Sequence, residues 1–249
     1  MNINFIPKGK QNELFLENYP PVLANKMQPD WYKNMRIVTK LEEFKHQMNP
    51  IKYDNINAKS CPAIQDILSD GFVIPLWADL YFATELDNDG NILQQSWDFS
   101  ARQAYLDDLD NHLGSHSKSQ TVGMDLKKTM DGKILKINLP YYIEIPEGYS
   151  IYYSDPFYHF RNEIRCLSGI VEADKWGFIS FPFEILKNDF VLKAGEPLIH
   201  CHIFKREDSK LKLNNLYLSE DEYNNKINKL RIHFVDNKPI KKILPTKKD

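Results

Sequence analysis

The sequence lacks most of the features that would place it at a glance. No apolar run in its 249 residues approaches the ~20 that a membrane-spanning helix needs. The start, Met1-Asn2-Ile3-Asn4-Phe5, has no charged region followed by an apolar one, so a secretory signal is not expected. There are only three cysteines, Cys61, Cys166 and Cys201. An odd number with no C-x-x-C pair supports neither a disulfide framework nor a zinc knuckle nor a dithiol redox site, and reduced thiols are expected. Charge of one sign is also scarce. The formal net charge of −2 leaves no global basic field to hold nucleic acid or anionic lipid. The lysine-rich stretch Lys238 to Lys248 is the local exception, and reads as a solvated tail. Internal repeats and low-complexity segments are absent.

What is present is an ordinary globular composition: 42% apolar, 27% charged and 12% aromatic residues, enough for one large core. The first 35 residues read as an irregular arm, because Pro7, Pro20, Pro21 and Pro29 interrupt it. Phe15, Tyr19, Trp31 and Tyr32 would anchor that arm. Thr39 to Glu42 has the form of a capping box before a helix to Met48. Ser60 precedes a helix over Pro62 to Ser69, stopped at Gly71. Phe72 to Leu86 is strand-like, Asp87 to Asn91 is a turn, and Ile92 to Phe99 returns beside it. Ala101 to Leu113 carries a helical stripe with Ser100 as N-cap and Gly114 as stop. Ser115 to Met130 reads as a polar loop.

From Lys133 the pattern becomes all-β. Strands are expected at Ile134–Ile145, Tyr149–Ser154, Ile164–Val171, Gly177–Ile185, Phe190–Leu192, Pro197–Lys205 and Leu211–Leu218. Ser219 to Glu222 is a second capping box, opening a helix with the stripe Tyr223, Ile227, Leu230. The expected fold is therefore mainly β with peripheral helices (α+β). A barrel or sandwich over 133–218 would carry an N-terminal α/β extension over 1–132 and a C-terminal helix and basic tail over 219–249.

Several side chains could carry chemistry. His200-Cys201-His202 on a strand points both imidazoles to one face, where a metal could be chelated. His112 and His116 flank Gly114, which argues against a helical metal pair. Asp107, Asp108 and Asp110 make an acidic helix face. Cys61 precedes a helix start, where a thiol pKa can fall. Arg161 and Arg165 could meet phosphate, although Glu163 beside them suits surface ion pairs. Tyrosines and phenylalanines crowd the stretch from Tyr141 to Phe160, as a protein interface or a stacking surface would use them.

Two resemblances emerge. Gly169-Ile170-Val171-Glu172-Ala173-Asp174-Lys175-Trp176-Gly177 resembles the third motif of the dUTPase family. The strand that follows, then Asp189 to Ile199 with its Lys-Ala-Gly-Glu-Pro turn, keeps that family's order, as does Ile145-Pro146-Glu147-Gly148-Tyr149 upstream. Over Leu139 to Arg206 the resemblance implies a dUTPase-like β-barrel. It puts Glu172 where the family holds the acid that activates water, with Asp174 as the second acid. Tyr149, Ser154, Arg161, Arg165 and Trp176 would then line a nucleotide cleft, and Mg²⁺ would be needed only for such a hydrolase. The family's Arg-Ser-Gly is replaced by Tyr153-Ser154-Asp155-Pro156-Phe157, its Gln by His200 or Cys201, and its Gly-rich closing arm is missing.

The wider pattern is Pro29-Asp30-Trp31-Tyr32, Cys61-Pro62, Gly71 to Leu76, and Pro146 to Ser150. It is similar to an uncharacterised family carried by tailed bacteriophages and some bacteria. The expectation that follows is a non-catalytic dUTPase-like barrel serving protein interaction or assembly. Its partners would be phage structural or host proteins, in the host cytoplasm or on the virion, with no cofactor, no membrane and no strong nucleic-acid signal; an oligomer is open. The alternatives are a nucleotide-binding or nucleotide-hydrolysing enzyme with Glu172 as base, and a metal-dependent β-barrel enzyme using His200 and His202.

Overall fold

The computed structural model describes residues 1–35, 58–100, 112–124, 134–207 and 213–226. The helix expected from Thr39 to Met48 lies outside the described residues, as does nearly all of the stripe Ala101 to Leu113 and the acidic triplet Asp107, Asp108, Asp110.

The arm of the first 35 residues is regular, which corrects its reading as irregular. It holds β1 (Asn4–Pro7), α1 (Glu13–Asn18), β2 (Val22–Leu23) and α2 (Asp30–Asn34). Its prolines fall at element ends, where a missing N–H costs nothing: Pro7 closes β1 and Pro29 caps α2. Next come α3 (Pro62–Ile67), β3 (Phe72–Pro75), β4 (Leu80–Leu86), β5 (Ile92–Phe99) and β6 (Leu113–His116). Gly114 does not stop a helix here. It sits in β6 opposite Lys136, because a neighbouring strand decides strand identity more strongly than local propensity does.

The C-terminal half carries β7 (Ile134–Asn138), β8 (Tyr141–Glu144), β9 (Tyr149–Ser154), β10 (Ile164–Cys166), β11 (Gly169–Val171), β12 (Ser180–Ile185), β13 (Phe190–Leu192) and β14 (Pro197–Lys205). Two expected long strands are broken. Ile134–Ile145 splits at Pro140, whose carbonyl accepts the Lys8 N–H at 3.0 Å. Ile164–Val171 splits after Cys166, so that β10 joins β12 while β11 joins β9. Residues 213–218 form no strand, because Asn214-Asn215 interrupts the alternation with residues that strands disfavour.

Among the described residues the strands make four separate antiparallel sheets and no closed barrel: β1-β8, β10-β12-β7-β6, β11-β9-β14-β3-β2 and β13-β4-β5. Residues before 133 contribute a strand to every one of them. Apolar faces of these sheets meet in one core that includes Ile74, Ile137, Leu139, Ile143, Ile151, Phe181, Phe183, Leu198 and Cys201. Burying each large side chain is worth about 1.5–3 kcal/mol. Pro182 is tolerated inside β12 because its backbone faces the side where β10 ends, and its carbonyl accepts the Leu167 N–H.

Two turns need glycine. Gly71 has φ +76°, and a Cβ there would lie 2.0 Å from the Cys201 carbonyl oxygen. Gly148, with φ +82°, turns the chain into β9.

Residues Met1–Arg206 form one unit and Glu207–Asp249 a second. In the second, α4 (220–226) starts with half of the expected capping box: the Ser219 N–H donates to the Glu222 carboxylate at 3.0 Å, and the Ser219 Oγ–H donates to the same carboxylate at 2.7 Å. Among the described residues no helix is long and apolar enough to cross a membrane.

Candidate functional site

The two acids singled out in the sequence have different fates. Asp174 is enclosed, its side chain 3% exposed. Its carboxylate accepts the Gly148 N–H at 2.8 Å and both terminal nitrogens of Arg206. Arg206 also donates to the Tyr149 carbonyl and to Ser150 Oγ. The Arg206 hydrogen bonds hold the Asp174 carboxyl well below the usual carboxylate range. The group is a staple joining the end of β14 to the turn before β9. Glu172 is exposed and accepts from Lys175 at 2.6 Å, one turn along; that bond lowers its pKa. Trp176, 66% exposed, projects from the same loop.

The other candidates lie elsewhere. Tyr149 and Ser154 sit at opposite ends of β9, about 17 Å apart at the usual rise per residue. The Asp174–Arg206 staple belongs to the Tyr149 end, since Lys205 is in register with Tyr149. His200 is in register with Ser154 at the other end. Arg165 is opposite Glu184 across β10 and β12 and pairs with that buried carboxylate. Glu172, Asp174, Arg165 and His200 therefore do not meet in one pocket.

His200 and His202 share a face, as the alternation of β14 requires, with ring centroids 4.5 Å apart and planes 12° from parallel. Both are committed to Asp70, at the end of α3. His200 Nε2–H donates to the Asp70 carbonyl at 2.8 Å, and His202 Nδ1 lies 2.9 Å from the Asp70 carboxylate. Burial lowers the His200 pKa to about 4, against the Asp70 hydrogen bond that would raise it. Phe157 packs on both rings. Among the described residues no group of three or more His, Cys, Asp or Glu side chains is placed to hold a metal ion. Cys61 caps α3, a helix of six residues, and His112 is buried beside Asn138.

The segment that gathers the most unusual features is the loop 155–163, between β9 and β10. Tyr158 and Phe160 have φ +61° and +52°, a region that bulky side chains avoid. Each such residue costs on the order of 1–3 kcal/mol and persists only where its surroundings enforce it. Here the enforcement is visible. Asp155 accepts the Cys166 N–H at 3.0 Å and Arg161 Nη2 at 2.9 Å. Arg161, only 12% exposed, also donates to the Pro197 and Leu198 carbonyls. His159 Nε2–H donates to the Met27 carbonyl at 3.0 Å. Trp31 Nε1–H donates to the Tyr158 carbonyl at 2.7 Å.

The result is a ledge of three rings, Trp31, Tyr158 and Phe160, with centroids 6.1–6.3 Å apart. Phe160 is 71% exposed. Phe160 also lines a cleft of 540 Å³, together with Pro156, Arg161, Leu192 and Pro197. Arg161 was an expected phosphate ligand, and Ser154 another. Arg161 is held by Asp155 and two carbonyls, while Ser154 Oγ–H donates to the Asp155 carbonyl at 3.0 Å. Sequence reasoning missed Arg206, Asp70 and Phe160. Arg206 stood at the edge of the resembling segment, and Phe160 was visible only as one of many aromatics.

No family model matches the chain, and no curated protein matches it. Fifteen solved chains do. Among them is the native EIAV dUTPase, at 10% identity and a TM-score of 0.32, covering 59% of this chain and 84% of its own. A likeness of that size says nothing about activity.

Proposed function

We propose that the protein is a binding protein and not a hydrolase, and that it holds a protein partner on the Trp31–Tyr158–Phe160 ledge. The observation that carries this reading is the strained loop 155–163, which spends backbone energy to present a large apolar ring to solvent. Exposed, rigid aromatic side chains beside a cleft are the usual anchors of protein interfaces. The sequence resemblance to dUTPases then describes a scaffold whose former catalytic positions have been reused. Asp174 serves as a staple and Glu172 as half of a surface ion pair. The similarity to a bacteriophage family would make the partner a virion or host protein.

The test is a random peptide library panned on the immobilised full-length protein. Enriched peptides should bind wild type and lose binding to Phe160→Asn, an exposed site where asparagine tolerates positive φ better than phenylalanine does. Peptides that bind both proteins equally would remove the ledge reading. So would pyrophosphate release from any dNTP with Mg²⁺ that Glu172→Gln abolishes, which would restore the nucleotide-hydrolase alternative.

A further inference from the structure

We infer that the partner presents a cationic side chain, lysine or arginine, next to an apolar one. The inference rests on the ledge reading and adds the chemistry of its ligand. Three acidic residues line the cleft, Asp155, Glu163 and Glu196; Asp155 is paired with Arg161 and Glu163 with Lys187, which leaves the charge of Glu196 without an ion pair among the described residues. The Arg161 guanidinium is nearly buried, and its two terminal nitrogens are held by Asp155 and two carbonyls while its buried Nε has no hydrogen-bond partner. Glu163 is kept ionised by Lys187, whose hydrogen bond lowers its pKa. Glu196 is exposed and makes no ion pair among the described residues. His159, the remaining titratable lining residue, has its pKa lowered by burial and stays neutral near pH 7. The uncompensated charge at the cleft is therefore the Glu196 carboxylate, which favours a cationic ligand over an anionic one such as a phosphate group.

The aromatic side of the site points the same way. The face of an exposed phenylalanine carries the negative part of its quadrupole, and a cation within about 6 Å of the ring is attracted to it. The Glu196 carboxylate and the ring faces on the ledge are thus two independent preferences for positive charge. Apolar walls from Pro156, Val191, Leu192 and Pro197 add a preference for an alkyl or aromatic neighbour. A volume of 540 Å³ lies within the range of pockets that bury a drug-sized ligand, so it can take a short peptide stretch.

Fluorescence anisotropy with three labelled peptides of equal length tests this on the full-length chain: one of alternating lysine and leucine, one of glutamate and leucine, one of lysine and serine. The Lys/Leu peptide should bind best and weaken as KCl rises. Glu196→Lys should weaken it roughly tenfold, because an attractive rim charge becomes a repulsive one. The Glu196 side chain is exposed, so that variant keeps the fold, and circular dichroism verifies it. Equal affinity for the Glu/Leu peptide, or no change with Glu196→Lys, overturns the cationic-partner inference. If Phe160→Asn still abolishes that binding, the ledge reading survives alone. If no peptide binds, or Phe160→Asn leaves binding unchanged, the ledge reading fails as well.

Discussion

His200 offers a prediction whose magnitude comes directly from the structure. The residue is 2% exposed, its ring stacked on His202 and meeting Phe157 edge-on, with Nε2–H spent on the Asp70 carbonyl. Charged neighbours are Asp70, which favours the imidazolium, and His202 and His159, which oppose it. Burial is the largest cause, and it lowers the pKa from 6.5 to about 4. A histidine with a depressed folded-state pKa binds its proton more readily in the unfolded chain. Its contribution to stability is complete above pH 6.5 and declines as pH falls, until it is gone below about pH 4. The full swing is about 3 kcal/mol, of which about 2 kcal/mol is lost between pH 7.5 and 5.

Carboxylates with depressed pKa, such as Asp79 held by Lys193 and Glu163 held by Lys187, lose their contribution only as pH drops below the ordinary carboxylate range. They do not compete in that window. His159 does, but it is present in both proteins, so the cost of its own burial is common to them. Urea denaturation followed by tryptophan fluorescence at pH 7.5, 6 and 5 should show wild type losing about 2 kcal/mol more than His200→Gln. Parallel pH dependences for the two proteins would refute the account of a neutral, enclosed imidazole.

Other outcomes follow from the same geometry. Asp174→Ala should lower the melting temperature sharply, since it strands Arg206 and the Gly148 N–H, whereas Glu172→Ala at an exposed pair should leave it nearly unchanged. Differential scanning fluorimetry separates the two. Gly71→Ala should cost more than the ~1–2 kcal/mol of a positive φ alone, because the new methyl meets the Cys201 carbonyl; a urea midpoint shift smaller than that would contradict the close approach. Ile137→Ala, in the centre of the core, should cost about 2–5 kcal/mol in the same assay. Phe160→Asn should keep stability within about 1 kcal/mol of wild type while losing peptide binding, because relief of the positive φ offsets the lost ring contacts.

Much of the strand order was legible. Tyr149–Ser154, Phe190–Leu192 and Pro197–Lys205 could be bounded from alternation and turn residues, because a half-buried strand writes its period of two into the chain. The half of the second capping box that forms was legible too, since a cap is a contact between residues three apart. The breaks at Pro140 and after Cys166 were harder. Apolar character continues through them, and only the change of partner strand shows that one element has ended. The N-terminal arm was misread for a related reason. Its prolines look like breakers in a list of residues, but lie at boundaries once β1 finds β8 and β2 finds β3.

For the site the division is sharper. The sequence by itself determined that the chain is β-rich, carries acids at 172 and 174, places His200 and His202 on one face, and concentrates aromatics between 141 and 160. All of these are local properties of composition and period. Only the tertiary structure decided what each group is free to do. Arg206, 32 residues beyond Asp174, turns that acid into a staple; Asp70, 130 residues before His200, engages both imidazoles; Trp31, 127 residues before Tyr158, completes the ledge. The physical reason is that a side chain's reactivity depends on its hydrogen-bond partners and its burial. Both are supplied by segments far away in the chain, which leave no mark on the residues they engage.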